Sequence, residues 1–228
     1  MKHLLLSFLL FLSACSTLPN KKLLNLPAKD FEVKSEVLRT NGYYYCEKTK
    51  VEYCKYFSGV TSGIVPDTNS KFDEKYIRAF ILEKDGYCYF TGGLISSGIK
   101  RLPFESALNY CDIVNDNNSF DSARVIFESR INNHYLLNSP TNEKGAFSIT
   151  NNAITFQIYE SGSERLQLKE YSGQILNDST FIVNNEIAYF SFGKKKIRSI
   201  SEVYHFKPFD INFEIPNRLR DYVKKQRK

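Results

Sequence analysis

The side chains best suited to chemistry in this sequence are its thiols and imidazoles. Cys46, Cys54, Cys88 and Cys111 lie in the body of the chain, and a fifth, Cys15, lies near its start. Four thiols in an exported chain read as two disulfides with three possible connectivities. Proximity in sequence favours Cys46 with Cys54 and Cys88 with Cys111. Zinc is the weaker reading, because no close Cys-x-x-Cys and no paired histidines accompany them, so neither metal nor cofactor is expected. His134 follows Asn132-Asn133 in a turn-like stretch. Strand alternation would set His205 on the face opposite Tyr204 and Phe206.

No catalytic residue is assigned. The chain has no Gly-x-Ser-x-Gly elbow, His-Glu-x-x-His, Walker loop or Gly-x-Gly-x-x-Gly. A Ser-His-acid set assembles from distant residues, and no local sequence supports one here. Asp73-Glu74 reads as part of a solvated loop. Gly92-Gly93 with Ser96-Ser97-Gly98 reads as a turn, or as a flexible loop beside a site.

The start of the chain is more specific. Met1-Lys2-His3 is positive, Leu4 to Leu12 is apolar, and the small residues Ser13 and Ala14 follow. This is the layout of a secretory signal peptide, too short for the roughly 20 residues of a membrane-spanning helix. Leu12-Ser13-Ala14-Cys15 resembles the lipobox of bacterial lipoproteins at all four positions. The resemblance implies cleavage before Cys15, a lipidated thiol and an acylated new amino group. Each buried methylene contributes roughly 0.8 kcal/mol, and stable anchoring takes two membrane signals, which three acyl chains exceed. Ser16 and Thr17, with no aspartate, resemble the pattern released to the outer membrane. The expected address is therefore the bacterial envelope, at the outer membrane and facing the periplasm. The expected partner is the membrane, through acyl chains on Cys15, and not nucleic acid.

Four segments are expected: a signal peptide over 1–14, a lipidated tether over 15–30, a single β-rich domain over 31–216 and a basic segment over 217–228. Hydrophobic content of 42% and charged content of 25% are those of a globular chain. The 18 Phe and 15 Tyr, with no Trp, favour strands. Part of the formal charge of +6 sits at the C-terminus, where Arg218, Arg220, Lys224, Lys225, Arg227 and Lys228 accompany only Asp221. Such an end is either solvated or a surface for an envelope polyanion or protein partner.

These segments must be built from identifiable elements. Leu38–Tyr45 and Leu82–Tyr89 share the frame Leu-x-x-[Asn/Asp]-Gly-Tyr-x-Tyr, which hints at a duplication. Asn-Gly and Asp-Gly predict two tight hairpins. The second would pair Leu82 with Tyr89 and turn Cys88 away from Tyr87 and Tyr89. The alternating tyrosines read as a ligand-facing strip or, more simply, as strand formers. Residues 47–53 read as a hairpin end, and Ser58 to Asp73 as a loop. Phe104, Ala107, Leu108 and Cys111 mark one amphipathic helix.

Beyond it, period-two patterns predict strands at Val125–Ile131, Phe147–Ile149, Ile154–Ile158, Leu166–Leu168, Phe181–Val183, Ala188–Phe192 and Ile200–Phe206. Turns are expected at Asn151-Asn152, 161–163, 177–179, Asn184-Asn185 and 193–196, the last a charged tip. The sum is a mainly β chain: an antiparallel meander forming a sandwich or an up-and-down, lipocalin-like barrel, with one short helix. The function expected is a non-catalytic structural or binding lipoprotein. The alternatives are a lipocalin-like carrier of an apolar ligand and a hydrolase acting on envelope polymer.

Overall fold

Eight antiparallel strands, each hydrogen-bonded to the next in chain order, close into a barrel. The computed structural model describes residues 32–34, 36–58, 63–95, 118–132, 144–161, 166–190 and 194–211, with the backbone alone at 52–58, 63–70, 93–95, 161 and 166. The strands are β1 (Gly42–Ser58), β2 (Gly63–Leu82), β3 (Tyr87–Ile95), β4 (Lys144–Thr150), β5 (Ala153–Ser161), β6 (Leu166–Asn177), β7 (Thr180–Tyr189) and β8 (Lys195–Pro208). A helix, α1 (Phe120–Asn132), interrupts the series between β3 and β4. Of the two closures expected, the up-and-down barrel is the one formed.

The base of the barrel is a solid apolar core. Alternate residues point inward, so Tyr44, Phe80, Phe90, Phe147, Phe156, Phe181 and Tyr204 converge there and are all buried. Phe80 and Phe156 stack at 4.3 Å, and Phe181 stacks on Tyr204 at 5.0 Å. Residues 32–34 and 36–41 run beneath this core. The Val33 N–H donates to the carbonyl of Lys84 at 2.9 Å, and the Arg39 N–H to that of Asp178 at 3.0 Å. Leu38 thereby seals the base and is fully buried. The seam is short: β1 pairs with β8 only from Gly42↔Pro208 to Tyr45↔His205. A Cβ at Gly42 would run into the carbonyl of Lys207, so the closing strands need a glycine there.

Outward-facing Tyr43, Ile77, Ala79, Ile81 and Tyr89 form a second core beneath Ala123, Phe127 and Ile131 of α1. Tyr43 meets Phe127 edge-on at 4.9 Å and donates its hydroxyl proton to Glu128 at 2.7 Å. The stretch from Val125 to Ile131, expected as a strand, is thus helical. Phe127 and Ile131 satisfy both periods, but Ser119 decides between them by capping: the Ser122 N–H donates to its hydroxyl at 3.0 Å. The helix expected around Phe104–Cys111 lies outside the described residues, as do Cys15, the leader, the tether, His134 and the segment 217–228.

Other expectations are corrected. Cys46 and Cys54 sit on one continuous strand, eight residues and so roughly 26 Å apart, not on a hairpin. A disulfide cannot span that distance, and Cys46 and Cys88 are both free, buried thiols. Cys54 has only its backbone described, and Cys111 lies outside the described residues. Ser58 to Asp73 is largely strand, since pairing with β1 overrides its loop-like composition. Asn41-Gly42 makes no hairpin; Gly42 opens β1.

The Asp85-Gly86 hairpin forms with a register one residue away from that expected. Leu82 faces Cys88, and Ile81 faces Tyr89. Gly86 occupies φ 86°, and the Glu83 N–H donates to the Tyr87 carbonyl across a three-residue loop. Cys88 nevertheless points away from Tyr87 and Tyr89, because alternation within the strand survives the slip. The tyrosines of both repeats are mostly buried packing residues, not a ligand strip. The turns at Asn151-Asn152 and Asp178-Ser179 form where expected. Asn184-Asn185 is instead a bulge inside β7.

Candidate functional site

Above the aromatic floor the inward positions change character. Following each strand away from the base, the side chains after Cys46, before Phe80, after Ile158, before Tyr171 and before Tyr204 are Lys48, Arg78, Glu160, Lys169 and Glu202. The bulge at Asn184-Asn185 places two residues of β7 opposite one step of β6, which reverses the alternation. Glu186 is thereby turned inward to join them. With Arg198, these side chains line a cavity of about 480 Å³ that also touches Tyr76, Gly92 and the β8 residues Ser199, Ile200 and Ser201. Gly92, singled out in sequence as a loop glycine, lies in β3 and lines the cavity.

Arg78 and Glu202 form the boundary between floor and cavity. Arg78 Nη1 donates to both carboxylate oxygens of Glu202 at 2.7 and 2.8 Å, and Nη2 donates to the Tyr171 hydroxyl at 3.2 Å. The guanidinium carbon lies 5.0 Å from the ring centroid of Phe90 and 5.3 Å from that of Tyr171, so the cation also rests on aromatic faces. Glu202 further accepts from the Tyr204 hydroxyl at 2.9 Å and pairs with Lys48 at 3.1 Å.

A second chain of charges follows on the far wall. Lys169 donates to Glu160 at 2.8 Å and pairs with Glu186 at 3.4 Å. Arg198 donates to Glu186, and the Tyr171 hydroxyl donates to Glu160. Tyr171 thus joins the two halves of the network.

Burial and charge work against each other here. Burial alone would raise the pKa of Glu202, but the Arg78 cation and the bonds from Tyr204 and Lys48 outweigh it and hold the carboxyl below its ordinary value. Burial likewise opposes the charge of Arg78, and the Glu202 carboxylate, bonded through both oxygens, more than offsets that. Tyr171 and Tyr204 are themselves pushed up by burial and by neighbouring carboxylates, which keeps them as proton donors. Cys46, just below, has its thiol pushed up to about 11, chiefly by burial, and is not a nucleophile at neutral pH.

None of the seven charged residues was singled out from sequence, although each extends an apolar period-two row by one or two steps. Conversely, the residues that were singled out do not come together as a site. Cys46 and Cys88 are interior packing thiols, and His205 is exposed on the outer face of β8. Among the described residues, no group of three ligand-type side chains is arranged to hold a metal. No described helix is long and apolar enough to cross a membrane.

Fold and site together define an eight-stranded up-and-down β-barrel of lipocalin-like architecture, sealed at its base and charged within its other half. Comparison with protein-family models, with curated proteins and with solved structures gave no match.

Proposed function

We propose that this protein is a lipid-anchored lipoprotein of the bacterial envelope whose barrel is a non-catalytic binding module for a small polar ligand. The observation that carries the binding role is the cavity of about 480 Å³ lined by charged side chains above a filled aromatic floor. Its size falls in the range of small-molecule sites, roughly 300–1,000 Å³. The apolar half of the interior is occupied by packed rings, which favours a polar occupant over an apolar one. The carboxylates of the cavity are committed to cations or phenols, which suits a rigid binding wall better than proton transfer. The anchoring rests on Leu12-Ser13-Ala14-Cys15 alone.

Each part has its own measurement. Replacing Cys15 with Ser should abolish fatty-acid labelling and release the protein from membranes; persistent labelling refutes the anchor. A ligand present at a hundred times its Kd stabilises the folded state by about 2.7 kcal/mol. Thermal melts against polar and apolar small molecules should therefore rise with polar ones only. A rise with a fatty acid and none with polar compounds would restore the apolar carrier.

A further inference from the structure

The cavity walls are not electrically even. Three of the four cationic side chains reach the solvent, with Arg198 58%, Lys48 29% and Lys169 21% exposed, while Arg78 is buried and Glu202, Glu186 and Glu160 are only 4%, 10% and 16% exposed. An entering ligand therefore meets nitrogen first. Spare bonding capacity has the same sense. A guanidinium carries five N–H donors and an ammonium three. Among the described residues, Arg198 spends its donors on Glu186 alone, and Lys48 pairs with Glu202 alone. Glu202, by contrast, already accepts from Arg78 with both oxygens, from Tyr204 and from Lys48. Four cations face three carboxylates around the cavity. Exposed Lys194, Lys195 and Lys196 lie just before Arg198 in the chain and add to the positive field at that end.

We infer that the cavity holds an anion, a phosphate or carboxylate group on a small organic molecule, gripped by Lys48, Lys169 and Arg198. This rests on reading the barrel as a binding module and names the ligand class that module takes. Charge-assisted bonds from ammonium and guanidinium groups are the strong contacts available for such a group. The buried carboxylates hold those nitrogens in place beneath the ligand. The volume admits a body attached to the anionic group, so a soluble organic phosphate or carboxylate and an anionic lipid headgroup share the required chemistry.

The test uses the full chain in non-ionic detergent and calorimetric titration with glycerol 3-phosphate, succinate, choline, putrescine and glucose. The two anions should bind and the other three should not. Affinity should fall about tenfold or more in Arg198→Gln and in Lys48→Gln, the worth of a charge-assisted bond, and should weaken with added salt. Flotation of the Cys15→Ser full chain with phosphatidylglycerol-containing vesicles, but not with phosphatidylcholine vesicles, would identify a headgroup as the source if glycerol 3-phosphate displaces it. Glycerol 3-phosphate binding without flotation would identify a soluble ligand. Binding of choline, putrescine or glucose with no binding of either anion would overturn the inference and leave the binding module standing. Anion affinity unchanged in both variants would overturn it as well. If none of the five compounds binds, the binding-module reading itself falls.

Discussion

Arg78 on β2 and Glu202 on β8 meet inside the barrel from strands that are not neighbours, Nη1 lying 2.7 and 2.8 Å from the two carboxylate oxygens. Strand β1 lies between them in the sheet, so the pair ties the wall together from within. Both partners are buried, and each supplies what the other needs to remain charged there.

Removing one partner should therefore cost far more than removing both. Arg78→Met leaves Glu202 facing Lys48 and Tyr204 alone, and should lower unfolding stability by about 3–5 kcal/mol. Arg78→Met combined with Glu202→Met should recover most of that loss in urea denaturation. A double variant no more stable than the single one would show that the loss comes from packing and not from the unpaired charge.

The same pair sets a pH dependence. The folded Glu202 carboxyl titrates below its ordinary 4.5. The folded state thus holds fewer protons there than the unfolded chain, and stability rises with pH through this window. The contribution is complete above the unfolded value and is lost as pH falls through the folded one. Melting temperature should decline below about pH 4.5, and Glu202→Gln should flatten that part of the profile. An identical acid limb in the variant would assign the decline to other carboxyls.

The aromatic floor should be the most sensitive part of the fold. Phe80 lies 4.5 Å from Phe90, 4.3 Å from Phe156 and 5.1 Å from Tyr204, measured between ring centroids. Phe80→Ala should lose about 3–5 kcal/mol, and Leu38→Ala, which unseals the base, about 2–5 kcal/mol. Denaturant midpoints measure both. A loss under 1 kcal/mol at Leu38 would mean that residues 36–41 do not seal the base in solution.

The thiols make a separate prediction. Cys46 and Cys88 are buried, and burial pushes both pKa values up, that of Cys46 to about 11. Thiolate is the reactive form. Both should resist alkylation of the native protein at neutral pH and react once it is unfolded. Rapid labelling of Cys46 in the native state would contradict its place beneath the cavity.

Strand character was legible along much of the chain because alternation is a local property. Ile154, Phe156 and Ile158 show it without any partner, and so do Phe181 and Val183. The turn at Asn151-Asn152 was legible for the same reason: Asn tolerates the φ of 55° found at Asn151. The helix at Phe120–Asn132 reads as a strand in sequence because Phe127 and Ile131 satisfy two periods at once, while Val125 fits only the strand period and is exposed on the helix. The repeat containing Asn41-Gly42 failed as a hairpin because residues 38–41 are recruited beneath the barrel instead of pairing with β1.

An antiparallel β meander and its inward rows could thus be read from residues a few positions apart, because alternation is local. Closure of the meander, the distance between Cys46 and Cys54 along one strand and the cavity itself come from pairing between strands remote in sequence. Lys48, Arg78, Glu160, Lys169, Glu186, Arg198 and Glu202 come from six strands, and each looks like an ordinary surface charge in its own stretch. Closure sets the end of every inward row at the same height, and the β7 bulge adds Glu186 by reversing its face. Charges separated by up to 154 positions become one network because the barrel, not the chain, makes them neighbours.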